Sequence, residues 1–157
     1  MHDDGITVVP LTQGKVAIID SADAERVLAR RWRIDAYGYA LTGTGKGTIT
    51  LHRFLMDAQP GEEVDHANRD KLDNRRSNLR FVTHAQNCVN AGLRRTNSSG
   101  FKGVTWHKRT QTWRAYIRVN GRQVHIGHFS TPEDAARAYD DAAAAEWGDF
   151  AFLNFPG

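Results

Sequence analysis

VDHANRDKLDNRRSNLRFVTHAQNCVN, running from Val64 to Asn90, is the stretch on which the reading of the chain turns. A short apolar approach ends at Asp65 and His66, a polar loop rich in Asn, Asp and Arg follows, and a strand-like run resumes from Leu79 to Val82. Thr83 with Gln86 three residues later spells a capping box, in which the hydroxyl accepts from first-turn amides while the longer side chain reaches back. The order is therefore strand, loop, strand, helix. A helix beginning there puts Asn87 one turn in, able to point back toward the Asp65 and His66 end of the hairpin.

The residue types narrow the chemistry. A carboxylate and a neutral amide oxygen suit a hard divalent ion that keeps most of its waters, whereas zinc asks for several Cys or His ligands. Asp65 and Asn87 supply the first kind of set. His66, with an ordinary imidazole pKa near ~6.5, is neutral often enough to take a proton from an attacking water. A cation held beside it stabilises a departing oxygen. Magnesium-assisted phosphodiester cleavage needs that convergence, with Mg2+ or another hard divalent ion such as Mn2+ as cofactor. Any one of these residues alone is better read as a turn former in a surface hairpin; the joint spacing, with a capped helix behind it, points to a site.

Asp65-His66, the DNRRSNLR run at 73 to 80 and Gln86-Asn87 resemble the HNH family of nucleases and, within it, the homing endonucleases of phages and introns. The resemblance implies an HNH domain over 1–92 with a ββα-metal (His-Me finger) core over 59–92. It implies Asp65 and Asn87 as metal ligands, His66 as general base, Asn78 as a brace for the loop, and 5′-phosphate and 3′-hydroxyl products. Asn87 stands where the motif ends in His in other members, a variant the family tolerates. The His52-Arg53 pair lies, by the same resemblance, near the scissile phosphate, with an ordinary polar helix face as the alternative. Arg75, Arg76 and Arg80 border the hairpin with charge and fork geometry suited to phosphates, each being otherwise solvated surface. His84 is equally open.

Taken whole, 157 residues allow one ordinary domain or two small ones. The formal net charge is only +3, yet no Asp or Glu occurs between Asn74 and Pro132 while eleven Lys and Arg do. The natural partner of such a cationic strip is the phosphate backbone of double-stranded DNA, a membrane surface being the weaker alternative. There is no apolar run long enough to span a bilayer, and MHDDGITVVP is acidic where a signal peptide is basic. A cytoplasmic protein acting on DNA, with no membrane association and no obligatory protein partner, is expected. Cys88 is the single cysteine, which excludes an intrachain disulfide and a cysteine-based zinc cluster and reads as small apolar filler on its helix.

The first sixty residues read as a β-rich platform. Ile6–Pro10 and Lys15–Ile19 are short β-branched runs around a TQGK turn, and Asp20 or Ser21 is a candidate cap for a helix through ADAERVLAR. Trp32–Ile34, Tyr37–Thr42 and Thr48–Leu51 read as further strands. The GTGKGT run between the last two lacks the spacing of a phosphate-binding loop and reads as a hairpin turn whose Lys46 reaches DNA. LHRFLMDA at 51–58 is a short helix stopped by Pro60 and Gly61.

AGLRRTNSSG at 91–100 marks a boundary, with a flexible basic linker over 93–100 and a second domain over 101–157. Three alternating strands follow, Lys102–His107, Trp113–Val119 and Arg122–Phe129, the last two joined by Asn120-Gly121. Thr131, Pro132, Glu133 and Asp134 then start an alanine-rich helix. Alternation turns Trp113, Ala115 and Ile117 toward that helix and leaves Arg114, Tyr116 and Arg118 on the open face, extended by Gln123 and His125. An open sheet of this composition suits a DNA groove.

FKGV at 101–104, Trp113 with AYIR at 115–118, Ile126-Gly127 with Phe129, the TPEDAARAYD helix start and LNFP at 153–156 are similar to the plant APETALA-two/ethylene-response-factor type of DNA-binding domain, which is also found fused to phage HNH nucleases. By that match Lys102, Arg114, Tyr116, Arg118, Gln123 and His125 are groove contacts. Thr105, Gln123 and His125 stand where plant members carry Arg or Trp, so base preference does not transfer. The fold expected is α+β: the platform with its hairpin-helix, then a three-stranded antiparallel sheet backed by one helix. The function expected is a metal-dependent DNA endonuclease, probing DNA with its carboxy-terminal domain and cutting with its amino-terminal one. The alternative is a sequence-specific DNA-binding regulator with an inactive nuclease fold, and behind it an RNA-directed or nucleoid protein.

Overall fold

The structure, a computed structural model, describes residues 5–157, and the chain divides into two compact units at His84/Ala85. Both mix helices with small antiparallel sheets, which places the protein in the α+β class.

In the first unit β1 (Ile6–Pro10) pairs with β2 (Val16–Asp20), and α1 spans Ala24–Leu28. The expected cap from Asp20 does not form. Its carboxylate instead accepts the backbone N–H of Arg76 at 2.7 Å. A three-stranded meander follows, β3 (Arg33–Ile34), β4 (Ala40–Gly43) and β5 (Thr48–Thr50), with GTGKGT as the β4–β5 turn, closed by Thr44 N–H donating to the Gly47 carbonyl at 2.9 Å. Helix α2 covers only Leu51–Leu55, ending before Asp57, which adopts a left-handed φ of 52°. Its Leu51 and Leu55 are fully buried in the core with Val9, Ile19, Val27, Trp32, Val64 and Leu79. Burial of a Leu of this kind contributes about 1.5–3 kcal/mol, and the two lock α2 beneath the hairpin of β6 (Glu63–His66) and β7 (Leu79–Val82).

The second unit begins inside helix α3 (His84–Asn90). Cys88 on that helix is exposed, which overturns the expectation that it serves as small apolar filler there. Asn97 and Ser99 organise the turn into the next strand, Asn97 Nδ2 and Ser99 Oγ both donating to the Phe101 carbonyl at 2.9 Å. Strands β8 (Val104–His107), β9 (Thr112–Val119) and β10 (Arg122–Phe129) form the antiparallel order β10-β9-β8, backed by α4 (Pro132–Trp147). Thr131 caps α4 as its sequence requires, accepting the Asp134 N–H at 3.2 Å, with Pro132 in the first turn. Ala135, Ala136 and Ala143 are fully buried, so the helix backbone lies close on Val104, Ala115 and Ile117. Gly103 makes this possible: its φ is +74°, and a Cβ there would sit 2.1 Å from the Tyr139 ring. The LNFP tail is pinned through Asn154, whose Oδ1 accepts the Lys102 N–H at 2.7 Å while its Nδ2 donates to Asp140 at 3.0 Å.

Candidate nuclease hairpin and nucleic-acid interface

The hairpin loop between β6 and β7 is built by side-chain amides. Asn78 Oδ1 accepts the Asn68 N–H at 3.0 Å, and its Nδ2 donates to Asn68 Oδ1 at 2.9 Å and to the Asp73 carbonyl at 2.8 Å. Asn78 is buried, and these hydrogen bonds tie the Asn68 and Asp73 sides of the loop together. The loop is also stitched to β2: Ile18 N–H donates to the Leu72 carbonyl and Asn74 N–H to the Ile18 carbonyl, each at 2.8 Å.

His66 ends β6 and is 4% exposed, with Nε2 lying 3.1 Å from Asn74 Oδ1. Asn74 is itself 1% exposed, and its Nδ2 donates to the Lys71 carbonyl at 3.3 Å. With the amide nitrogen so used, Oδ1 faces the imidazole and must accept. His66 therefore carries its proton on Nε2 and leaves Nδ1 as the basic atom, the orienting arrangement a general base needs. Burial pushes His66 below the ordinary imidazole value, against the opposing pull of the Asn74 hydrogen bond and the Asp65, Asp70 and Asp73 carboxylates. The other walls are aromatic: the His52 ring meets His66 edge-on at 4.8 Å and Tyr39 lies 6.2 Å away. Burial, then the His66 and Arg53 charges, hold His52 down to about 3, so it stays neutral.

Asp65 is cross-strand from Arg80, which donates to its carboxylate at 3.1 Å and 3.3 Å. Arg75 forms a fork on Asp73 at 2.7 and 2.8 Å, and Arg76 a fork on Asp23, both bonds 2.8 Å. All three arginines expected to clamp phosphates thus also hold the fold together through carboxylates. His84 pairs with Glu63 at 2.8 Å. Asn87 belongs to the second unit, on α3, so the first unit contributes Asp65 and His66. Among the described residues no three His, Cys, Asp or Glu side chains cluster as a metal site. One carboxylate is nevertheless a usable foothold for a hard ion that keeps its waters. A cation on Asp65 would share or displace its Arg80 partner.

In the second unit the faces sort as alternation demands: Ala115 and Ile117 are buried against α4, while Arg114, Tyr116 and Arg118 lie on the open side with Gln123 and His125. The Arg114 guanidinium stands 5.8 Å from the centre of the Tyr116 ring, and its Nε is buried with no hydrogen-bond partner among the described residues. Such an orphaned charged donor costs stability unless a ligand completes it. Lys102 is differently employed: its Nζ donates to the Val89 and Ala91 carbonyls, both at 2.6 Å, capping the carboxy-terminal end of α3.

Two residues escaped the sequence reading. Asn74 lay within the DNRRSN run, but its contact with His66 depends on the loop folding onto β2. His128 reaches the open face because β10 bulges between His125 and Gly127, after which His128 pairs with Arg114. The isolated Gly inside a strand pattern was the available signal.

The comparisons with known proteins name these two regions. A family model described as HNH endonuclease matches residues 58–89, and one described as AP2 domain matches residues 99–148. The chain joins an HNH endonuclease domain to an AP2 domain. An uncharacterized HNH endonuclease of Acanthamoeba polyphaga mimivirus is 32% identical over 130 residues, 79% of this chain and 66% of that protein. An AP2-like ethylene-responsive transcription factor of Arabidopsis thaliana is 46% identical over 61 residues, 39% of this chain and 13% of its own length. APETALA2-like protein 2 of Oryza sativa subsp. indica is likewise 46% identical over 61 residues, where the chain spans 14% of it. No solved structure matches. No helix among the described residues is long and apolar enough to cross a membrane.

Proposed function

We propose that the chain is a metal-dependent DNA endonuclease of the homing type, found in phages and introns, whose amino-terminal domain hydrolyses phosphodiester bonds at sites engaged by its carboxy-terminal sheet. The observation that carries the reading is His66: a buried imidazole, neutral by burial, with its tautomer set by Asn74 and a carboxylate at the preceding position.

His66 Nδ1 takes a proton from water, whose oxygen forms a bond to phosphorus as the bond to the 3′ oxygen breaks; that oxygen takes a proton from solvent, leaving 5′-phosphate and 3′-hydroxyl ends. Asn74 holds the imidazole in the tautomer that can accept that proton. Asn78 keeps the loop carrying Asn74 in place. Asp65 and, from α3, Asn87 would hold Mg2+ or Mn2+, which supplies neutralisation of charge on the leaving oxygen. Arg114, Tyr116, Arg118, Gln123 and His125 engage the duplex, with the unpartnered Nε of Arg114 supporting that assignment. Arg75, Arg76 and Arg80 reach phosphate with donors their carboxylate partners leave over, and Lys102 acts on DNA only through the helix it caps. The protein acts inside the cell, on DNA, without an obligatory protein partner. The domain limits proposed are 1–92 and 101–157, joined by the basic segment 93–100.

The Asp65–Arg80 pair favours a second reading, a DNA-binding regulator whose nuclease fold is inactive, because the carboxylate is already neutralised. One experiment separates the two: purified chain and its own source DNA, with Mg2+ or with EDTA, beside His66→Ala. Cleavage that needs Mg2+ and His66 supports the enzyme; binding without cleavage under any divalent ion supports the regulator.

A further inference from the structure

The open face of the second unit carries more than the residues assigned above. His128 lies between two other imidazoles, its ring centre 4.9 Å from that of His125 and 5.1 Å from that of His107. His107 and His128 are also the ends of a hydrogen-bonded chain across the sheet: His107 Nδ1 to Thr110 Oγ1 at 2.7 Å, Thr110 Oγ1 to Thr112 Oγ1 at 2.7 Å, and Thr112 Oγ1 to His128 Nδ1 at 2.8 Å. Three hydrogen bonds need three protons and the two hydroxyls supply two, so an imidazole must supply the third from Nδ1. In the neutral protein that imidazole keeps a bare Nε2. It can take up a proton there without breaking the chain and becomes a cationic donor.

We propose that His128, with His107 and His125, is a DNA-contacting element of this sheet whose phosphate contact is made in the imidazolium form, so that DNA binding takes up protons. The inference rests on the reading of this sheet as the DNA-binding face.

Geometry and charge both support it. The bulge in β10 puts His128 opposite Arg114 and on the same face as Arg118 and His125. The groups acting on His128 are His107 on β8, Arg109 in the β8–β9 turn, Arg114 on β9 and His125 on β10, with no carboxylate among them. Loss of water in this crowd, followed by the His125, His107, Arg114 and Arg109 charges, keeps the free imidazole below its ordinary value. A phosphate brought to the face reverses the sign of that environment and favours the imidazolium. A group whose pKa rises on binding makes affinity grow as pH falls, by at most about one decade per pH unit for each proton taken up.

The test is fluorescence anisotropy of the full chain on a labelled mixed-sequence DNA duplex, in EDTA so that no strand is cut, at fixed ionic strength from about pH 5.5 to about pH 8. The wild type is expected to bind more tightly as the pH falls through the imidazole range. His128→Gln is expected to flatten that slope, its deficit being greatest at acid pH. His107→Gln removes the other end of the chain and is expected to act in the same direction, which keeps the test open if one variant folds poorly. Wild-type affinity indifferent to pH, or an unchanged slope in both variants, overturns the proposal. Arg114→Ala with Arg118→Ala is the control for the underlying reading. If that pair weakens binding while the histidine variants leave the slope intact, only the proton-linked contact is wrong. If the pair has no effect, the sheet is not the DNA-binding face and both readings fall.

Discussion

Asn74 Oδ1 lies 3.1 Å from Nε2 of His66, and both side chains are buried. The bond fixes which imidazole nitrogen is basic. His66→Ala should therefore lower the cleavage rate by at least about 100-fold, within the range for loss of a positioned proton acceptor, while DNA affinity is retained. Single-turnover cleavage beside a binding assay checks this. Undiminished Mg2+-dependent nicking by that variant removes His66 as the base.

Exchanging the Asn74 amide for a carboxylate changes the pH profile. In the wild type, burial lowers the His66 pKa, so cleavage should rise with pH and reach its plateau near or below the usual imidazole range. A carboxylate at position 74 would stabilise the imidazolium, raise that pKa and move the rising limb of Asn74→Asp to higher pH. A limb that stays put shows that the bond does not govern proton affinity.

His52 ties stability to acidity. Its pKa is about 3 in the folded chain and near 6.5 when unfolded, so only the unfolded state takes up the proton between those values. That contribution is fully present above pH 6.5 and is lost as the pH falls toward 3, at up to about 1.4 kcal/mol per pH unit. Urea titrations at a series of pH values should show the loss, and His52→Leu should make it shallower. Equal slopes in the two proteins would contradict this account.

Arg114→Ala and Arg118→Ala should each weaken DNA binding. Where the lost contact is to phosphate, the slope of log affinity against log salt should fall by about one. Affinities across a salt series, rather than at one concentration, decide it.

Gly103 is held at φ +74°, with Tyr139 and the Tyr116 carbonyl filling the space a methyl group would need. Gly103→Ala should destabilise the second unit by more than about 2 kcal/mol, from left-handed strain together with overpacking. Chemical denaturation followed through tryptophan fluorescence measures it, and a variant as stable as the parent would mean the sheet and α4 can separate at little cost.

Much of this was legible in the chain because it is local. Alternation sorted Arg114, Tyr116 and Arg118 from Trp113, Ala115 and Ile117, and Thr131 with Pro132 marked the start of α4 correctly. What was hidden depends on partners far away in sequence. Arg76 finds Asp23 across 53 positions, and Asp20 caps no helix because it receives the Arg76 backbone instead. No pattern within the 73–80 run distinguishes an arginine waiting for phosphate from one already holding an aspartate. The bulge in β10 is hidden for another reason: it inverts the period of two halfway along a strand, so strict alternation misassigns every residue after it.

Lys102 fastens the last carbonyls of α3, the helix that bears the proposed ligand Asn87, and it does so from the start of the AP2 region. A chimaera made by exchanging the chain from position 93 onward would carry off that lysine and leave the helix end unfastened. Joining another carboxy-terminal module to this HNH domain thus requires a crossover that moves the helix and its lysine as one piece, or a replacement bearing its own cation at the same place. The HNH and AP2 regions follow one another in the chain, but the end of α3 is fastened by a lysine from the second, so the two cannot be exchanged freely at position 93.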